Sequence, residues 1–71
     1  QILNAATQIL GDPSCGHVHR IKGCLETPDG WFELNATAAQ RQLNPIANGQ
    51  QIIIVIGEGL NKEKIEAYLQ A

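Results

Sequence analysis

Residues 27–31 read Thr-Pro-Asp-Gly-Trp, and this short stretch constrains the fold more than any other. Proline presets φ near about −65° at the second turn position, aspartate suits the third, and glycine supplies the positive φ that closes a bulged type I hairpin. Strands flanking so tight a turn must be antiparallel neighbours. Upstream, residues 17–27 interleave β-branched and apolar residues with polar ones. Downstream, Trp-Phe-Glu-Leu-Asn-Ala-Thr forms the returning strand, 31–37. A three-residue loop sets Thr27 opposite Trp31, Cys24 opposite Leu34 and Lys22 opposite Ala36.

The remaining elements follow from periodicity and punctuation. Ile2, Leu3, Ala6, Ile9 and Leu10 fall at helical spacing, with Gly11 as C-cap and Pro13 as a stop, which predicts a first helix over 2–10. Residues 12–16 are a loop. The run Gln-Gln-Ile-Ile-Ile-Val-Ile-Gly, ending at Gly57, is a strand apolar on both faces, a pattern that predicts burial on both sides. Asn61 is an N-cap for a final helix over 62–70, with Ile65, Tyr68 and Leu69 as its inward stripe. Leu60 and Ile65 stand at the ends of a hydrophobic staple. Residues 38–49 offer a helical turn at Ala38–Leu43 that Asn44-Pro45 and Asn48-Gly49 break. The expected order is helix, strand, strand, strand, helix. It predicts a two-layer α+β domain, a three-stranded and mainly antiparallel sheet with helices on one face. The last strand is expected beside the first, at an edge of the sheet.

At 71 residues the chain supports one domain, spanning 1–71. It starts at Gln1 and contains no methionine, so it reads as a fragment of a longer protein. Its net charge of −2 offers no broad basic surface for nucleic acid. No apolar run approaches the roughly 18 residues of a membrane helix. Cys15 and Cys24 lie too far apart to bridge if they share a strand, because each residue advances about 3.3 Å. Free thiols in a reducing, cytoplasmic compartment are expected.

The chemistry is concentrated in Cys15-Gly-His-Val-His-Arg-Ile-Lys-Gly23. On a regular strand Cys15, His17 and His19 share a face, about 6–7 Å apart in succession. They are candidate ligands for zinc or cobalt, lacking a complete tetrahedral set. The alternative is an ordinary strand with half-exposed histidines. Arg20, Lys22 and Cys24 point to the opposite face. The two cations can hold a carboxylate or phosphate, or lie along the sheet paired with Glu26 or Glu33. Gly57-Glu58-Gly59 precedes a helix, but the Lys-Ser/Thr pair and spacing of a phosphate-binding loop are absent. No nucleophile–base arrangement or paired acid–base carboxylates are visible. The residues describe a binding or regulatory domain, not an enzyme.

The ordered set is more specific than its parts. An Arg-x-Lys-Gly strand (Arg20, Lys22, Gly23), a tryptophan between strands (Trp31), an apolar strand ending in Ile56-Gly57, then Leu60-Asn61 and a terminal amphipathic helix resemble the C-terminal domain of the CobW-type GTPases over residues 16–70. The resemblance implies a parent with an N-terminal P-loop GTPase domain that binds GTP and Mg and carries a C-x-C-C metal motif. It implies a role in metal delivery (cobalt or zinc metallochaperones) or in cobalamin synthesis. Partners would be that GTPase domain and a client metalloprotein or cobalt-insertion machinery. Neither the Walker motifs nor C-x-C-C occurs in this sequence, so hydrolysis is not carried over. The segment 38–49 is shorter than in many members and has no histidine. Cys24 stands where a bulky apolar residue is common, which suits a small core residue.

Three functions are therefore expected to compete. The first is a regulatory docking domain acting through Arg20 and Lys22. The second is a metal-binding module using Cys15, His17 and His19. The third is a homo-oligomerisation domain in which the apolar edge strand pairs with its copy.

Overall fold

The computed structural model describes residues 2–70. Helix α1 (Ile2–Gly11) leads through one 3₁₀ turn (Pro13–Cys15) into strands β1 (His17–Thr27), β2 (Gly30–Ala36), β3 (Arg41–Ile46) and β4 (Ile52–Glu58), and helix α2 (Lys62–Gln70) follows. All strand pairs are antiparallel and the spatial order is β3-β2-β1-β4. Three sequential strands and a fourth that returns beside the first make a Greek-key order. The α+β class holds, and β4 does lie beside β1 at an edge. The strand count does not hold, because the sheet has four strands and not three.

The additional strand is β3, within the segment read as a broken helical turn. Its sequence is Arg-Gln-Leu-Asn-Pro-Ile, with neither apolar alternation nor β-branched enrichment to announce it. Pro45 signals a break, yet β3 is an edge strand pairing only with β2. One side of an edge strand needs no ladder donors, so proline is tolerated there. Thr37 and Gln40 close the β2–β3 turn through reciprocal main-chain bonds, Thr37 N–H to Gln40 C=O at 2.6 Å and Gln40 N–H to Thr37 C=O at 3.3 Å.

The first hairpin is one residue tighter than expected. Thr27 pairs with Gly30 and Glu26 with Trp31, leaving a two-residue loop of Pro28 and Asp29. Gly30 carries φ +116, and no residue other than glycine has positive φ among the described residues. The glycine thus absorbs the twist that a type I turn would otherwise impose on the strands. The tighter loop sets Ile21 opposite Ala36, Gly23 opposite Leu34 and Leu25 opposite Phe32. A strand's apolar set must share one face, and that requirement decides the register.

Both helices pack against each other, and α1 also lies on β1 and β3. Between the layers, Ala6 and Ile9 of α1 meet Val18, Ile21, Leu34 and Ala36 of the sheet and Ile65 of α2. Helix α2 is anchored at its start. Asn61 Oδ1 accepts the Lys64 N–H at 3.1 Å, and the Asn61 N–H donates to the Cys15 carbonyl at 2.9 Å. Tyr68 and Leu69 are half-buried beside Ile65, so the inward stripe is as expected. Leu60 remains exposed. No described helix is long and apolar enough to cross a membrane.

The apolar run of β4 is partly buried, and on one side only. Ile53 and Val55 pack on the helical layer, whereas Ile52, Ile54 and Ile56 are 49%, 41% and 42% exposed on the other face. A run apolar on both sides read as a doubly covered strand, but in this chain both helices serve the same face.

Candidate functional site

The outer sheet face is assembled from alternate residues of four strands. Ile56 lies opposite Arg20, Ile54 opposite Lys22 and Ile52 opposite Cys24. Across the β1–β2 pair, Lys22 faces Asn35, Cys24 faces Glu33 and Glu26 faces Trp31. An apolar column on β4 therefore runs beside a column carrying two cations on β1. Arg20 Nε donates to Asn35 Oδ1 at 3.0 Å, which holds its guanidinium along the sheet. Among the described residues the ion pairs all involve His17 or His19 with Glu58. Arg20 and Lys22 thus lack the Glu26 or Glu33 partner that the sequence offered.

Cys24 lies on this outer face, half-buried, and not in the core between the layers. The crossing segment 47–51 covers it: a Cβ added to Gly49 would sit 3.3 Å from Cys24 Cβ. The same segment reaches back to β1, where Gln51 Oε1 accepts the Glu26 N–H at 3.0 Å.

At the opposite end of β1 the ladder with β4 is irregular. His17 pairs with Glu58 and Val18 with Gly57, but Arg20 pairs with Ile56, leaving His19 as an extra residue. Such a bulge reverses side-chain parity along one strand. Val18 and Ile21, three apart, both face the core, while His17, His19, Arg20 and Lys22 are all exposed. The histidines are therefore not segregated from the cations by strand alternation, as regular spacing predicts. Close approach of the two strands here depends on Gly57, where any Cβ would collide with the His17 carbonyl and lie 2.9 Å from Val18 Cα.

The bulge also draws the two imidazoles together, with ring centroids 4.3 Å apart and planes tilted by 47°. Glu58, directly across from His17, reaches both rings. Its Oε1 lies 3.8 Å from His17 Nδ1 and 3.4 Å from His19 Nε2. One potential ligand atom from each of the three residues falls within 4.8 Å of the others.

Cys15 does not join this cluster. It sits at the end of the 3₁₀ turn, fully buried in the core. Burial pushes its thiol pKa up, with the nearby Asp12 charge adding to the effect. Metal ligation and nucleophilic attack both need the thiolate, so Cys15 is placed as a packing residue. Both cysteines are free. Glu58 escaped the sequence reading because it lies 39 positions from His19 along the chain. Only the β1–β4 pairing brings the two together.

Asp12 and Tyr68 form the other polar cluster. The Tyr68 hydroxyl donates to Asp12 Oδ2 at 2.6 Å, and Asp12 Oδ1 accepts from the Ser14 N–H and hydroxyl at 2.9 and 2.7 Å. The Tyr68 bond first, and the Ser14 bonds next, lower the Asp12 pKa from 3.8 to about 2. The same bond raises that of Tyr68. This cluster ties α2 to the 3₁₀ turn.

Comparisons with protein families, with curated proteins and with solved structures give no match for this chain.

Proposed function

We propose that this chain is a non-catalytic docking domain of the kind found at the C-terminus of CobW-type GTPases, serving cobalt or zinc delivery or cobalamin synthesis. The observation that carries the reading is the outer sheet face, which no helix covers and which segment 47–51 crosses at Cys24. Both helices cover one side, and the other presents Ile52, Ile54 and Ile56 beside Arg20 and Lys22. Isolated exposed leucines or isoleucines need no explanation, but a contiguous apolar column rimmed by charge marks an interaction surface. The Arg-x-Lys part of the resemblance and its apolar last strand lie side by side on this face, so one surface absorbs both motifs.

The occupant we assign is the GTPase domain of the parent protein, which binds the GTP and Mg. Its contacting patch is apolar at the centre and acidic at the rim. Isoleucines supply area removed from water, while Arg20 and Lys22 set orientation and speed encounter. A change of nucleotide that moves the acidic rim would weaken or strengthen this contact, and clients would read that difference.

Isoleucine-methyl NMR tests the assignment. The methyl resonances of Ile52, Ile54 and Ile56 should shift on adding the GTPase domain, with a response that differs between GTP and GDP. Arg20→Ala with Lys22→Ala should weaken the response. Unmoved methyls would overturn the reading. Shifts that instead follow the concentration of this chain alone would also overturn it, in favour of self-association.

A further inference from the structure

The geometry points to a divalent metal site of the zinc type formed by His17, His19 and Glu58, and we propose that these three residues bind such an ion on the surface. The inference is independent of the docking reading, since it uses the bulged end of the β1–β4 pair and not the isoleucine column.

Consider first the donor set. Two imidazole nitrogens and one carboxylate oxygen suit zinc and its borderline neighbours such as cobalt, whereas Mg and Ca take oxygen ligands. Metal–ligand bonds of about 2.0–2.2 Å at tetrahedral angles put neighbouring ligand atoms roughly 3.3–3.6 Å apart. The His19–Glu58 separation of 3.4 Å already has that value, and the His17–Glu58 separation of 3.8 Å needs a closure of a few tenths of an ångström; all three ligand atoms lie within 4.8 Å of one another, so side-chain rotation on metal binding completes the set. These side chains are 48–80% exposed, so each has solvent on at least one side into which it can rotate. Three protein ligands with an open fourth position is the arrangement of sites that keep a water or accept a ligand from a partner.

Next comes the reason the three converge. Histidines two apart on a regular strand are about 6–7 Å apart. Here the extra residue at His19 brings the rings to 4.3 Å, and the ladder delivers Glu58 directly opposite His17. Gly57 permits the close strand approach that holds this end of the pair together. The backbone therefore restrains all three ligand origins, while the ligand-bearing side chains stand at the surface. A cleft bordered by His17, Glu58, Asp12 and Gly59 adjoins the site and gives an ion access.

Calorimetric titration of the 71-residue chain with zinc chloride, and visible absorption on adding cobalt chloride, test the proposal. One ion should bind per chain, with intense cobalt d–d bands of a low-coordinate N/O site, and Mg should not compete. His17→Ala, His19→Ala and Glu58→Gln should each weaken zinc by at least about tenfold, the scale on which even outer-shell partners act. Cys15→Ser should leave affinity unchanged if the variant retains the parent circular dichroism. The three ligands are exposed, so their variants should keep the parent melting profile without metal. Binding no tighter than millimolar, or zinc affinity unaltered in the His17→Ala and His19→Ala chains, would overturn the assignment.

Discussion

If the sheet is covered on one face only, the same substitution on opposite faces must have different consequences. Ile21 and Ile54 are a suitable pair. Both are β-branched strand residues, and they lie on adjacent strands, Ile54 pairing with the neighbour of Ile21. Ile21 is fully buried and Ile54 is 41% exposed. Changing either to threonine keeps β-branching, so strand propensity is nearly constant. At Ile21 the change removes about two methylene equivalents of burial at roughly 0.8 kcal/mol each. It also buries a hydroxyl, at about 1–3 kcal/mol if no partner is found. The expected cost is about 3–5 kcal/mol. At Ile54 about three fifths of the apolar transfer applies, and the hydroxyl reaches water, so the cost is about 1 kcal/mol or less. Stability for a chain this size is about 4–11 kcal/mol, so Ile21→Thr removes a large share of it. With each kcal/mol worth roughly 4–8 °C in a small domain, Ile21→Thr should melt at least about 10 °C lower, and Ile54→Thr no more than about 8 °C lower. Thermal and urea unfolding followed by the single tryptophan, Trp31, measure the melting shift and the free-energy loss of each variant. Equal losses in the two variants at low protein concentration would refute one-sided burial and with it the docking face proposed above.

Two further outcomes probe the anchoring of α2. Asn61→Ala removes the bond to the Lys64 N–H and should cost about 0.5–2 kcal/mol, read as a lower urea midpoint with an unchanged slope. The Asp12–Tyr68 contact has a defined pH window. Asp12 is depressed from 3.8 to about 2, so its contribution is present above pH 3.8 and is lost as pH falls towards 2. Tyr68 is raised above its ordinary 10.0, so its contribution is present below that value and is lost as pH rises through the folded-state pKa. The stability deficit of Tyr68→Phe should therefore be full between about pH 4 and 10 and shrink on either side; a deficit constant from pH 2 to 7 would contradict it.

How much was legible depended on whether information was local. Asn61 sits beside the backbone it caps, and Thr27-Pro28-Asp29-Gly30 turns on its own residues, so both could be read directly. The hairpin left the last strand two possible neighbours, β1 or β2, and the expected place beside β1 is the one the sheet has, whereas its apolar pattern pointed to burial on both sides. β3 was not legible because its two apolar residues, Leu43 and Ile46, fall three apart, and its stability comes from β2. The hairpin register shifted by one because the turn signature fits two loop lengths, and only the pairing of apolar faces decides between them. The candidate site failed for a related reason. Strand alternation assigned Cys15, His17 and His19 to one face, but alternation stops at the 3₁₀ turn before β1 and again at the bulge. One interruption sends Cys15 into the core, and the other leaves the histidines exposed alongside Arg20. Glu58 enters through long-range pairing, which carries no local trace.

The Greek-key order has a consequence for synthesis. β1 is the first strand to be made, yet its second neighbour, β4, is the fourth. Hairpins close in about 1–10 μs, so β1 and β2 can pair as soon as both are available. At about 5–20 residues per second, β4 follows several seconds or less behind the turn. During that interval the nascent sheet exposes the open edge of β1, the strand that carries His17, His19, Arg20, Lys22 and Glu26. Charged edges resist pairing with foreign strands. The isoleucine-rich strand, the one most prone to stick, is made only when that edge is already waiting for it. The strand order thus has the chain's isoleucine-rich segment made only after the strand it pairs with.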